Sequence, residues 1–462
     1  MQPVLTVSEM QAVDREAQAS TPLAVLVERA GRAVAAAALE MLGGGYGRRV
    51  MVVAGKGNNG ADGRVAAATL SRRGARVTVV DPGVGETGGE WDLVIDAAYG
   101  TGFRGEYQAP AIGPGIPVLA VDIPSGVLGD SGEASGHPMR AERTVTFAAL
   151  KPGLLQGDGV ELAGRVTVAD IGLRVGDPGL RLMEDADVAA LVPPRRRNDH
   201  KWSSAVLIVA GSPGMTGAAG LCARAAMRTG AGMVRLGVPG GDVADTPASE
   251  AVSVALPGHG WSEVALEASR RCSAIVVGPG LGRQPETGEE VRRLVREAGV
   301  PVVVDADGLF ALGLLDAAHP VDHRSPVVLT PHDGEYQRLL GSPPGADRFE
   351  AARRLARAVG SVALVKGSTT AVAEPSGRAR VSMSGSPRLA TAGTGDVLSG
   401  VIGALLARGL APLEAAALGA HLHGRAAGLG PEQGLIAGDL PPLVSRVLSD
   451  LAAHHPPGGR RG

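Results

Sequence analysis

Acidic and amide side chains set on glycine-rich turns are the part of this sequence that could do chemistry. Gly393 and Gly395 stand directly ahead of an apolar run, Val397 to Ala407, which reads as a buried helix. Glycines at a helix start let the backbone come close to a ligand, and the free N–H groups and dipole there favour an anion. Asp396, in the first turn, is then a candidate base or metal partner beside a phosphate cradle, or simply a dipole-stabilising helix residue. A second turn of this kind, Gly55-Lys56-Gly57-Asn58-Asn59-Gly60-Ala61-Asp62-Gly63, follows the apolar run 49–54 and precedes a helical pattern over 64–74. Strand, glycine loop and helix is a phosphate-binding geometry. The oxygens of Asn58, Asn59 and Asp62 suit a hard cation or a polar ligand, and a turn held by Asn side chains is the plainer alternative.

Strands must carry these turns. Apolar runs at 49–54, 75–80, 91–96 and 117–122 read as parallel strands, the last two ending on Asp96 and Asp122. Ligands bind at the carboxyl ends of an open parallel sheet, so Asn59, Asp96 and Asp122 point to one site. Two helical patterns precede them. Ser8 and Gln11 fit a capping box for the first, and Gly43 to Gly45 end the second; neither shows chemistry. Pro193-Pro194-Arg195-Arg196-Arg197 reads as a linker, giving domains at 1–190 and 195–455. A second α/β series follows, its strands running into Gly211 to Ala218, Gly278 to Gly282, Asp305-Ala306-Asp307, Thr330 to Glu335 and Lys366 to Thr370.

The bulk composition narrows the class. At 462 residues the chain is long for one core, and ~150 residues per domain allows two or three. A net charge of −2 argues against nucleic acid as partner. Cys222 and Cys272 lack metal-ligand spacing and read as small buried residues of a reducing compartment. No signal pattern or apolar run near ~20 residues is present, so a cytoplasmic protein without a membrane partner is expected, as a homo-oligomer.

Three motifs in the first half resemble the NAD(P)H-hydrate epimerase domain: Gly57 to Gly63, Asp96 with Gly100-Thr101-Gly102, and Asp122-Ile123-Pro124-Ser125-Gly126. The resemblance runs from about Ser8 to Leu173 and implies a Rossmann-like three-layer fold. It implies that Asn58, Asn59, Gly60, Ala61, Asp62 and the loop Gly100, Thr101, Gly102, Phe103, Arg104, Gly105, Glu106 hold the damaged dinucleotide. It further implies potassium on Asn59, Asp96 and Ser125, acid–base work by Asp122, and assistance from Lys151. Ala61 departs from the family, which commonly has Gly there.

The second half, from about Arg195 to Leu451, resembles the ribokinase-like ADP- or ATP-dependent NAD(P)H-hydrate dehydratases. By that resemblance Lys366, Gly367, Ser368, Thr369, Thr370 and Gly395 hold the adenine nucleotide with magnesium, and Ala218, Gly282, His332 and Asp396 contact the hydrated nicotinamide. Asp333 stands where Pro is common. The expected function is repair of hydrated NADH and NADPH. The first domain interconverts the R and S epimers, and the second dehydrates the S epimer with Asp396 as base and ADP favoured over ATP. A ribokinase-like small-molecule (vitamin) kinase is the rival for the second half, and a non-catalytic nucleotide-binding scaffold is the other.

Overall fold

The computed structural model of the chain describes residues 1–85, 88–243, 247–315 and 321–454. Residue 455, the expected end of the second domain, lies outside them. The chain divides into two compact units, Gln2–Pro178 and one that runs from Gly179.

In the first unit, six parallel strands stand in the order β2-β1-β3-β4-β5-β6: β1 (Arg49–Ala54), β2 (Arg76–Val80), β3 (Leu93–Ala97), β4 (Val118–Val121), β5 (Arg143–Phe147) and β6 (Arg165–Ala169). Both faces of the inner strands are apolar, as a doubly covered parallel sheet requires. Val50, Val52, Ile95 and Leu119 meet Val34 and Ala38 of α2 (Leu23–Leu42) and Ala66 and Leu70 of α3 (Asn58–Arg72). Met51, Val53, Val94 and Ala120 meet Tyr107, Met139 and Ala141 on the other face. The first helix, α1 (Val7–Gln18), is capped by Thr6 with Glu9 rather than by Ser8 with Gln11: Thr6 Oγ1 accepts from Glu9 N at 3.2 Å and Glu9 Oε2 takes Thr6 N at 2.8 Å. An ionised carboxylate returns that bond more strongly than an amide.

In the second unit the strands run in the order β7-β16-β15-β14-β13-β12-β11-β8-β9-β10. They are β7 (Leu180–Leu182), β8 (Ala205–Val209), β9 (Met233–Pro239), β10 (Val252–Leu256), β11 (Ala274–Val277), β12 (Val302–Val304), β13 (Val327–Leu329), β14 (Val362–Val365), β15 (Thr370–Ala373) and β16 (Ala379–Ser382). All neighbours are parallel except β14–β15 and β15–β16. The helices used below are α4 (Asp185–Leu191), α5 (Gly217–Arg228), α6 (Trp261–Ser269), α7 (Pro285–Glu297), α8 (Asp307–Leu312), α9 (Asp333–Leu340), α10 (Arg348–Val359), α11 (Thr394–Ala407), α12 (Pro412–Leu429) and α13 (Leu440–His454). Helix α11 is apolar on all sides and packs on α5 at backbone distance: a Cβ on Gly400 would stand 2.2 Å from the Cys222 carbonyl. Cys222 and Cys272 are free thiols and buried, as expected.

The joint differs from the expected position. β7 pairs with β16, and α4 packs on α12 and α13, so both belong to the second unit although they precede Pro193-Pro194. The proline–arginine run is a surface loop within that unit. Its composition marks the loss of regular structure, and only the pairing of β7 shows where the cores part.

Candidate active sites

The glycine–asparagine turn of the first unit is already helix. α3 begins at Asn58, six residues before the expected Arg64. Tertiary packing holds the weak helix formers there. Gly60 lies so close to Gly55 that a Cβ would come within 1.9 Å of its carbonyl oxygen, which fixes the helix start against the end of β1. Ala61, inside α3, has no left-handed backbone, so its methyl is accommodated.

This helix start opens onto a cavity of about 1050 Å³ at the strand ends. Asn58, Asn59, Asp62, Gly100, Thr101, Gly102, Phe103, Arg104 and Asp122 all line it, together with Asp14 of α1 and Tyr99. Gly105 and Glu106 are not among its lining residues, and Gly105 instead accepts a hydrogen bond from Ser135 Oγ at 2.7 Å. Asp122 sits at the end of β4 in a left-handed conformation, φ +67°, rare for a residue with a side chain. Its Oδ1 accepts from Lys151 Nζ at 2.6 Å and Thr146 Oγ1 at 3.0 Å. Lys151, 1% exposed, also donates to Thr146 Oγ1 at 2.7 Å and to the Phe147 carbonyl at 3.0 Å. Among the described residues Asp62 has no such partner. Burial, then the nearby Asp122 and Asp14 carboxylates, push its proton affinity up to about 8. Burial raises Asp14 as well, with Lys151 opposing and Asp122 adding to the rise.

Behind the cavity, Asp96 at the end of β3 is fully buried. Its Oδ2 accepts from Ser125 N at 2.8 Å and its Oδ1 from Ala98 N at 3.4 Å. Ser125 Oγ donates to the Tyr99 carbonyl at 3.1 Å and accepts from Tyr99 N at 2.9 Å. Asn59 is turned towards Gly100, whose ideal Cβ position lies 3.3 Å from Asn59 Oδ1, and its Nδ2 is buried without a hydrogen-bond partner. Among the described residues no cationic side chain pairs with Asp96, and burial raises its proton affinity against the Ser125 and Ala98 hydrogen bonds. A buried carboxylate with hard oxygen neighbours and no internal cation is a setting that a monovalent cation fits.

In the second unit the predicted residues lie at the carboxyl ends of five adjacent strands, β14, β13, β12, β11 and β8, and at the start of α11. Asp305, 1% exposed, is the hub. Its Oδ1 accepts from Lys366 Nζ at 2.6 Å and its Oδ2 from Ser399 Oγ of α11 at 2.6 Å. Gly393, φ +90°, caps α11 with no side-chain bond to the first-turn N–H groups, leaving them open to an anion. A Cβ on Gly395 would stand 3.3 Å from Lys366 Nζ. Burial, then Asp305, push Asp396 up to about 6, with Lys366 opposing and Asp307 adding. Asp307 Oδ2 accepts from Gly282 N at 3.0 Å, and Ala218 stands against Gly280 of the same loop.

His332 is the N-cap of α9, its Nδ1 accepting from Gly334 N at 3.0 Å, with Nε2 at 3.5 Å from Glu335. Asp333 takes the first helical position, where Pro is also comfortable, and pairs with Arg348 at 3.0 Å. Arg348 in turn donates to the carbonyls of Lys366 and Thr369, so it braces the loop Lys366 to Thr370 from below. Gly367 O accepts from Thr370 Oγ1 at 3.1 Å, and Ser368 lies with its carbonyl against Gly385. Thr369 is buried with its hydroxyl on Met383 Sδ, which leaves only its backbone to a ligand. A further cavity of about 730 Å³ lies among Glu263, Arg270, Arg293 and Arg324, on the α6–α7 side and not at the strand ends.

Sequence reasoning missed Asp14, Ser399, Arg348 and His423. Asp14 had a signal: it follows the buried Met10 by four residues on one face of α1. His423 of α12 is 6% exposed, and burial, then Lys366, hold it down to about 4 with the Thr394 backbone opposing, so it stays neutral.

Comparison with known proteins gives the same division. The family model for NAD(P)H-hydrate dehydratase matches residues 206–449, and that for the YjeF-related protein N-terminus matches 23–88 and 83–153. A bifunctional NAD(P)H-hydrate repair enzyme from Moorella thermoacetica is 37% identical over 97% of both chains. The one from Escherichia coli is 34% identical over 87% of this chain and 85% of its own. Among solved structures, the Bacillus subtilis ADP/ATP-dependent NAD(P)H-hydrate dehydratase co-crystallised with ATP/Mg2+ is 29% identical, with a TM-score of 0.51, over 58% of this chain and 97% of that one.

Proposed function

The chain belongs to the bifunctional NAD(P)H-hydrate repair enzymes, with a Rossmann-like unit followed along the sequence by a ribokinase-like one, and on that premise we propose how its two sites divide the work. The first unit interconverts the R and S hydrates in the cavity bounded by Asn58, Asp62, the loop Gly100 to Arg104 and Asp122. The second unit returns the S hydrate to NADH or NADPH at the start of α11. The observation that carries the reading is the pairing of each site's strand-end aspartate with a lysine, 2.6 Å in both, beside a carboxyl of raised proton affinity.

In the second site hydroxide is a poor leaving group, so the hydroxyl is phosphorylated first. Asp396 takes its proton as the oxygen attacks the terminal phosphorus of the nucleotide and the anhydride bond breaks. With a proton affinity near 6, Asp396 is ionised at neutral pH and ready for this. First-turn N–H groups of α11 and the Lys366 ammonium stabilise the phosphoryl oxygens. Phosphate then leaves with the C–O bonding electrons as the ring nitrogen lone pair forms a C=N bond, and loss of a proton from the adjacent ring carbon to solvent restores the C=C bond of the dihydropyridine. The loop Lys366 to Thr370 holds the nucleotide largely through backbone. Gly282, Ala218 and His332 bound the hydrated ring.

Potassium would sit on Asn59, Asp96 and Ser125, neutralising the buried Asp96 and fixing the turn that faces the substrate. Among the described residues no group of three or more His, Cys, Asp and Glu could hold a metal, so we assign magnesium to the nucleotide phosphates, where it would screen their charge. ADP is proposed over ATP, on the ground that prokaryotic members of this kind generally use ADP. Among the described residues no helix is long and apolar enough to cross a membrane, and we place the reaction in the cytoplasm.

The test is NADH absorbance after mixing the full chain with both epimers of the hydrate, potassium, magnesium and either ADP or ATP. Recovery of all the NADH faster than the epimers interconvert unaided is expected, with ADP the better co-substrate. Recovery that stalls after one epimer is consumed would remove the epimerase half. A stable phosphorylated product without NADH would replace the second half with a small-molecule kinase.

A further inference from the structure

We propose that Asp62 is the general acid of the first site, protonating the hydroxyl that leaves the hydrated ring, while the Lys151-paired Asp122 carboxylate receives a proton from the water that adds to the opposite face. The inference rests on the epimerase reading and deepens it.

The charge inventory of the cavity comes first. Asp14 from α1, Asp62 from α3 and Asp122 from the end of β4 line one cavity, and Lys151 is bound to Asp122. Asp96, outside the cavity lining, would be matched by potassium. Asp14 and Asp62 then remain, with no cation paired to either among the described residues. Asp62 is only 7% exposed. Neighbouring elements offer it no relief: the charges that face it are the carboxylates of Asp122 and Asp14, and Arg29 of α2 is turned to the Ile171 carbonyl at 2.9 Å. Like-charged groups that share a desolvated site cannot all ionise, and the most buried one keeps its proton. The rise of Asp62 to about 8 agrees with that. Asp62 from α3 and Asp122 from the end of β4 thus divide as acid and base within the one cavity.

Inversion of a carbon that bears a hydroxyl beside a ring nitrogen needs both. The C–O bond breaks, its electrons leave with oxygen, and the Asp62 proton makes that oxygen water. The nitrogen lone pair meanwhile forms a C=N double bond. Water then adds to the other face, its oxygen forms the new C–O bond, and its proton passes to Asp122. Transfer of that proton back to Asp62 through solvent closes the cycle, so no oxidant or reductant is needed.

The experiment measures epimerase kcat/KM from pH 5 to 10 on R-enriched hydrate with potassium present, for the full chain, Asp62→Asn and Asp14→Asn, with S-hydrate dehydration measured separately. The wild-type rate is expected to fall above about pH 8. Asp62→Asn is expected to lose ~100-fold at pH 7 and to lack the alkaline fall. Asp14→Asn, with one like charge removed, is expected to start its fall at lower pH, a displacement that damaged packing would not give. The proposal is overturned if Asp62→Asn stays within about threefold of wild type at pH 7, or if Asp14→Asn leaves the alkaline fall where it was. Wild-type protein that epimerises no faster than solution would sink the epimerase reading itself, a separate result.

Discussion

Replacing Asp305 with Asn tests the electrostatics of the second site directly. Asp396 stands at about 6 against an ordinary 3.8, a rise of ~2 units or ~3 kcal/mol against its ionised form. Burial is the largest cause and survives the substitution. Asp305 is the next, and it disappears. Lys366, which opposes the rise, loses its 2.6 Å carboxylate partner and acts on Asp396 uncompensated. Both changes favour the ionised base, so its proton affinity must fall, by roughly 0.5–1.5 units given that burial remains. A general base works when deprotonated, so the dehydratase rate rises with pH through that value and then levels. The acid limb of kcat/KM for the S hydrate should therefore move from near 6 to a lower pH. The same substitution breaks a buried ion pair, though Lys366 is 21% exposed at its side chain. A loss of about 2 kcal/mol and a fall in Tm of ~4–8 °C are expected for this unit. The assay is NADH formation from pH 4.5 to 8 with saturating nucleotide, below the lowered Tm. An acid limb that stays put or moves up would refute the reasoning. Either Asp305 does not act on Asp396, or Asp396 is not the base.

Further outcomes follow from the same geometry. Asp62→Asn should raise the Tm of the first unit most at pH 9, much less at pH 5 and not at pH 3.5. A carboxyl whose folded value is raised costs nothing below ~4, where both states are protonated, and costs most above about 8, where the folded state too must give up the proton. Asp96→Asn should abolish potassium stimulation of epimerisation and the potassium-dependent rise in Tm, while dehydration of the S hydrate keeps its rate; stimulation that persists would mean that potassium binds elsewhere. Gly395→Ala places a methyl 3.3 Å from Lys366 Nζ at the mouth of the α11 anion site. Its dehydratase kcat should fall ~10–100-fold with a Tm change under ~3 °C, since the flexible lysine end can move. His332→Ala removes a helix cap and should cost ~1 kcal/mol together with a higher KM for the hydrate, measured by denaturation and by S-hydrate kinetics.

The strands that carry the two sites were legible because parallel strands buried on both faces read as short apolar runs, as Arg49–Ala54 and Ala205–Val209 do, whereas the flanking strands β5, β6, β7, β9, β10, β15 and β16 were not read from the sequence. Strand ends were legible for the same reason: Asp96, Asp122 and Asp305 each follow an apolar run directly. What did not show was anything set by tertiary contact. The start of α3 at Asn58 depends on Gly60 packing against the Gly55 carbonyl, which no local propensity reveals. The joint at Gly179 depends on β7 joining β16, some 200 residues away in sequence, whereas the proline–arginine run at 193–197 looks like a joint only by composition. Asp14 escaped because a carboxylate in an N-terminal helix reads as solvated until the cavity beneath it is seen.

The two sites use one electrostatic arrangement at two settings. In each, an aspartate at a strand end is held 2.6 Å from a lysine supplied by a later segment, and a second carboxyl stands nearby with its proton affinity raised by burial and by the first. The lysine is what sets the difference. Burial is the largest cause at both and each feels two carboxylates, but Lys366 opposes the rise of Asp396, which stands at about 6, whereas Asp62 has no such opposing charge and rises to about 8. At neutral pH the first value leaves a base and the second an acid. That is the division the proposed mechanisms require: phosphorylation of a hydroxyl needs its proton removed, and expulsion of a hydroxyl needs a proton supplied. Asp14→Lys should therefore lower the proton affinity of Asp62 and slow epimerisation; a variant that epimerises at the wild-type rate would break this argument.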